Sequence, residues 1–169
     1  MSDTPLRFNF YNEQKQAVLY MTEHVDQKMT LEISNTSKKA TTLLQLTEPI
    51  SATNHHFELI FRAGTINHTA IKLEDTSDFE LFINRDHNGK FKPSNDGSAS
   101  LYFKSKSSLT MQEGQNIKIK IANLRGNHIQ GAHATLVMLK YQNLLHAGDS
   151  TSFSGHTRSR LLLLEIERD

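Results

Sequence analysis

The chain of 169 residues is long enough for one domain with its own core, because a globule of this size hides roughly 70% of its unfolded surface. It has no cysteine, and 19 basic side chains face 18 acidic ones, which excludes disulfides, thiolate chemistry, cysteine-ligated zinc and a global pull toward nucleic acid. No basic and apolar leader opens it and no apolar run nears the ~20 residues that cross a bilayer, so a cytoplasmic protein without membrane contact is expected.

Phe8 and Phe10 alternate with Arg7 and Asn9, which predicts a first short strand, and residues 17–22 are a second candidate. Met29-Thr30-Leu31-Glu32-Ile33 alternates strictly. It stops at Ser34-Asn35-Thr36-Ser37-Lys38-Lys39, a turn by composition, since Asn and Ser offer the backbone local hydrogen bonds. A strand over 40–46 follows and ends before Glu48-Pro49, because proline removes a ladder donor. Phe57-Glu58-Leu59-Ile60-Phe61 turns Phe57, Leu59 and Phe61 inward, Ile71-Lys72-Leu73 is short, and Phe79-Glu80-Leu81 alternates again. Asn88-Gly89 predicts a two-residue hairpin in a type I′ turn, which needs positive φ twice. Asp96-Gly97 repeats that signal before Leu101-Tyr102-Phe103-Lys104, and Pro93 between them predicts a short edge strand.

The segment 109–144 organises the rest. After a turn at Gln112-Glu113-Gly114-Gln115, Ile117-Lys118-Ile119-Lys120-Ile121 can gather its isoleucines on one side only with a side-chain period of two. The chain then crosses the polar loop 123–133 and continues over 134–141, apolar on both faces through Leu139, as suits a strand covered on both sides. Four leucines and Glu165-Ile166-Glu167 predict a last strand, 160–167, that starts between two layers and emerges at a wet rim. The whole predicts an all-β chain, an antiparallel β-sandwich of about ten short strands with little helix, as a single domain over 1–169. Periodicity leaves immunoglobulin-like and jelly-roll topologies both open. Met29–Ile33, Asn35 and Ala40-Thr41 echo Ile117–Ile121, Asn123 and Ala134-Thr135, either as a duplicated half or as convergent turn chemistry.

No constellation of acid, base or ligand converges, so a non-enzymatic protein without cofactor is expected. Asn84-Arg85-Asp86-His87-Asn88-Gly89 begins as a calcium loop does, but Asn95 stands where the bidentate acid belongs. Jelly-roll enzymes of the cupin type hold a metal with strand histidines and a glutamate. His55-His56 and Glu58 lack that spacing, and neighbours on a strand face opposite ways, so these histidines are expected on a solvated surface. Ser154-Gly155-His156 near Asp149 lacks the glycines of a nucleophile elbow. Glu32, Glu58, Glu80 and Glu165 occupy outward positions rather than facing each other across a groove. The absence of tryptophan weakens a lectin reading.

Three lysine pairs remain: Lys90 with Lys92, Lys104 with Lys106, and Lys118 with Lys120. On one face, these six ammonium groups would form a stripe for an acidic partner or a polyanion; on edge strands they would only deter pairing. The leading expectation is an interaction or assembly module working through a protein partner or as a homo-oligomer. The alternative is a carbohydrate- or small-ligand-binding module using the loops 34–39 and 125–133, with Asn127, His128 and His133 as candidate contacts. A metal-dependent jelly-roll enzyme is the third reading.

Overall fold

Side chains that alternate between apolar and polar build strands with one dry face. The structure, a computed structural model, describes residues 5–21, 27–67, 70–127 and 134–165, and the described residues contain fifteen strands and no helix. They begin with β1 (Leu6–Asn12), β2 (Val18–Tyr20), β3 (Lys28–Asn35), β4 (Thr41–Leu43) and β5 (Phe57–Phe61). Short strands β6 (Ile66–Asn67), β7 (Lys72–Leu73) and β8 (Phe79–Phe82) precede β9 (Ala99–Ser105), β10 (Leu109–Met111) and β11 (Asn116–Ala122). The set is completed by β12 (Arg125–Gly126), β13 (Ala134–His146), β14 (Phe153–His156) and β15 (Arg160–Glu165). The strands not expected from periodicity are β6, β10, β12 and β14, each of two to four residues.

One sheet has four strands in the order β1-β3-β11-β7. A second has nine, running β10-β4-β13-β5-β9-β8, with β14 and β15 also on β13 and β2 parallel to β15. β12 and β6 form a separate pair. Segments 28–35 and 116–122, which echo each other in sequence, lie side by side as β3 and β11, with Ile33 opposite Ile117 and Leu31 opposite Ile119. Their asparagines differ in role. Asn35 is wholly buried, whereas Asn123 holds a left-handed backbone at φ +60°.

The inward side chains of both sheets share one core. Leu6, Phe8 and Phe10 of β1 and Met29, Leu31 and Ile33 of β3 join Phe57, Leu59 and Phe61 of β5 and Leu101 and Phe103 of β9. Phe10 meets Phe61 edge-on across the sheets, ring centroids 5.8 Å apart. Each such fully buried side chain stabilises the fold by about 1.5–3 kcal/mol relative to exposure.

Three local expectations are corrected. The Asn88-Gly89 hairpin is not type I′, since only Gly89 has positive φ (+80°). The loop is the triplet His87-Asn88-Gly89, closed by Asp86 and Lys90, because the Asp86 carboxylate accepts the Asn88 and Lys90 N–H groups at 2.8 and 3.0 Å. β13 is not covered on both sides: Val137 and Leu139 are buried, while Leu136 is 40% exposed. β15 likewise does not start between two layers, because Leu162 and Leu164 enter the core while Leu161 and Leu163 face out. No helix among the described residues is long and apolar enough to cross a membrane.

Candidate functional site

A cleft opens between the outer edge of β1 and residues 157–162. One part, of about 690 Å³, lies among Phe8, Asn9, Phe10 and Tyr11 of β1, Glu32, and residues 159–162. A second part, of about 940 Å³, shares Phe8, Ser159 and Arg160 with the first and extends to the loop 36–39 and His146. The local sequence explains each lip. Asn35 is buried by the end of β3 and spends its side chain on the loop: its amide donates to the Lys39 and Met111 carbonyls, both at 2.9 Å. Its side-chain oxygen accepts the Ser37 N–H at 3.0 Å and the Ser37 hydroxyl at 2.7 Å, so Lys38 and Lys39 project from a loop pinned beneath them. Opposite, buried Thr157 exchanges with β13. Its N–H donates to the Leu139 carbonyl at 2.8 Å and its hydroxyl accepts the Leu139 N–H at 3.2 Å, which leaves Arg158 and Arg160 exposed.

Charge is uneven along this cleft. Its larger part is lined by Arg7, Lys38, Lys39, Arg158 and Arg160, with no carboxylate among the lining residues. Lys39 reaches Asp149 at 3.5 Å, and the other four have no ion pair among the described residues. The smaller part holds Glu32, which accepts the Tyr11 hydroxyl at 2.9 Å and lies 3.9 Å from Lys118. Partial burial and this carboxylate raise the Tyr11 phenol above its ordinary value, so it stays protonated as the donor.

Beside the cleft lies an apolar patch. The large hydrophobic side chains exposed among the described residues are Leu136, Leu161 and Leu163, at 40%, 58% and 38%. In the β13–β15 ladder Leu136 stands opposite Leu161 and Leu163 opposite Ala134, so all three occupy one outward face. Sequence reasoning missed this patch because an apolar run does not disclose which of its faces is covered.

The structure does not gather the lysine stripe. Lys104 lies on β9 of the larger sheet and Lys118 and Lys120 on β11 of the smaller, so the pairs do not share a face. Lys104 is only 8% exposed, and its ammonium donates to the Glu48 carbonyl at 2.7 Å and sits 3.7 Å from Glu80. Lys90 and Lys92 are exposed in the hairpin after β8, and Lys106 is exposed just past β9. Asn127 ties β12 to its neighbour, its amide donating to the Gly64 and Ile66 carbonyls at 3.1 and 2.8 Å. His128 and His133 lie outside the described residues.

The expectation of solvated histidines is corrected for His55 and His56, which are 4% and 0% exposed. Ser105 N–H donates to His56 Nδ1 at 3.0 Å, so the proton resides on Nε2, which donates to the Leu44 carbonyl at 2.6 Å. The His55 ring packs on Tyr102 at 4.8 Å and its Nδ1 lies 3.1 Å from the Ser51 carbonyl. Burial lowers both imidazoles below their ordinary value, outweighing those carbonyl contacts. No group of three or more His, Asp or Glu side chains among the described residues could hold a metal ion. Gly155 packs under the Tyr141 ring, and Ser154 and His156 at its sides are exposed.

No protein-family model matches this chain, and no curated protein matches it. Among solved structures it is similar to AvmM, which catalyses macrocyclization in alchivemycin A biosynthesis, at 10% identity and TM-score 0.40, covering 99% of this chain and 92% of that one. It is also similar to a FixG-related protein from Vibrio parahaemolyticus, at 8% identity and TM-score 0.29, covering 97% of this chain and 100% of that one. Neither likeness is close enough to carry an assignment.

Proposed function

We propose that the chain is a single β-sandwich unit, immunoglobulin-like or jelly-roll, acting without catalysis as an assembly module that pairs with a second copy of itself. The observation that carries this reading is the convergence of Leu136, Leu161 and Leu163 on one outward face of β13 and β15. A patch of this kind on a sheet is a protein contact by default, since water is excluded from it most simply by a matching apolar surface. Charge favours a twofold contact. Along this face Glu165 of β15 lies at one end and Lys140 of β13 at the other, both exposed. Two copies laid face to face about a twofold axis bring leucine onto leucine and Lys140 of one onto Glu165 of the other.

Light scattering and sedimentation over a concentration series test it. The protein as it exists should dimerise, and Leu161→Asp should raise the dimer dissociation constant about 10-fold or more without lowering the unfolding midpoint. A strictly monomeric wild-type particle at high concentration would sink the reading. The alternative, a carbohydrate- or small-ligand-binding module, is favoured by one observation, the loop 36–39 bordering the larger part of the cleft. A glycan array separates the two.

A further inference from the structure

We infer that the cleft beside β1 is a docking groove for an acidic peptide segment, which binds extended and adds as a strand to the free edge of β1. The groove meets the leucine face at Leu161, which borders both, and the inference does not rest on self-association.

The backbone sets the geometry. Thr36 N–H donates to the Pro5 carbonyl at 2.9 Å, and Leu6 stands opposite Asn35 in the β1–β3 ladder. Antiparallel pairs alternate between bonded and unbonded, so Arg7, Asn9 and Tyr11 exchange their bonds with β3. The far side of β3 agrees, because Asn35 N–H donates the other way, to the Gln115 carbonyl at 2.9 Å. It follows that the N–H and C=O groups of Leu6, Phe8 and Phe10 point away from β3, toward the cleft. β1 is the terminal strand of its sheet, and no second strand pairs with it among the described residues. An edge of this kind receives an extended peptide through its main chain and reads side chains at alternate positions. At about 3.3 Å per residue, a segment of roughly six residues matches the length of β1.

The side chains select the partner. Arg7, Lys38, Lys39, Arg158 and Arg160 surround the larger part of the cleft without a lining carboxylate, on two lips held by buried Asn35 and Thr157. That arrangement complements carboxylates and repels a basic segment. A nucleic acid would also be attracted by the charge, but single-strand binding relies on exposed rings for stacking. Here Phe8 and Phe10 are buried, at 1% and 5% exposure, and the Tyr11 hydroxyl is bound to Glu32. The free main-chain edge therefore favours peptide over nucleic acid.

The test uses the full chain and a fluorescent hexapeptide of alternating glutamate and valine, read by anisotropy at low ionic strength. Saturable binding is expected, weakened about 10-fold or more by Arg158→Glu with Arg160→Glu, and weakened to a similar degree when the peptide is N-methylated at alternate amides. The second comparison leaves the protein unaltered, so a folding defect in the charge variant does not decide the outcome. The proposal is overturned if no saturable binding occurs. It is equally overturned if N-methylation leaves affinity unchanged in both registers, or if single-stranded DNA or a heparin fragment of equal charge binds as tightly.

Discussion

His56→Ala measures what a wired, buried imidazole contributes to this fold. The ring is fully buried, and it satisfies two backbone groups, the Leu44 carbonyl just past β4 and the Ser105 N–H at the end of β9. Truncation leaves both unpaired, at about 1–3 kcal/mol each, and adds a cavity, so a loss of about 3–5 kcal/mol is expected. The same residue carries a pH signature. Because burial lowers the folded-state value, the unfolded chain takes up the proton first as pH falls below about 6.5. Stability is therefore complete above about pH 6.5 and declines on acidification until the folded-state value is passed. The decline is up to about 1.4 kcal/mol per pH unit for each of His55 and His56. Urea unfolding of wild type and variant between about pH 5 and 7.5, with linear extrapolation, separates the terms. His56→Gln, which keeps a donor, serves if the alanine variant does not fold. The reasoning fails if removing His56 leaves the slope of stability against pH unchanged.

Two further substitutions probe the supports of the cleft and of β14. Asn35→Ala strips a buried side chain that makes four hydrogen bonds to the loop beneath Lys38 and Lys39 and to β10, and should cost about 2–4 kcal/mol by urea unfolding. An Asn35→Ala protein as stable as wild type would show that the loop needs no such anchor. At Gly155 a Cβ would stand 2.8 Å from the Tyr141 hydroxyl oxygen and 3.0 Å from the ring. Gly155→Ala should therefore cost about 1–3 kcal/mol, read as a fall of several degrees in Tm. An unchanged midpoint would mean that Tyr141 moves aside freely.

The periodic elements were legible where one face is dry. Phe57-Glu58-Leu59-Ile60-Phe61 is a strand with its odd-numbered residues buried, as alternation requires, and Met29–Ile33 and Ile117–Ile121 hold the same pattern in adjacent strands. The histidine environment was not legible. Residues 44–56 bring His55 against Tyr102 of β9, and nothing local in His55-His56 announces that contact. The lysines failed for a related reason. Alternation places Lys104 and Lys118 outward on their own strands, yet one strand belongs to each sheet.

What alternation decides is the orientation of each side chain relative to its own strand, because successive residues on an extended chain point to opposite faces whatever lies beyond them. From that came the all-β class and the inward phenylalanines. Which strands become neighbours, which face stays uncovered and which edge goes unpaired depend on contacts between residues far apart in the chain. Leu136 meets Leu161 and the β1 edge faces Arg160 only once β13, β15 and β1 have taken their places in the two sheets. Those long-range pairings are what create the leucine face and the basic cleft.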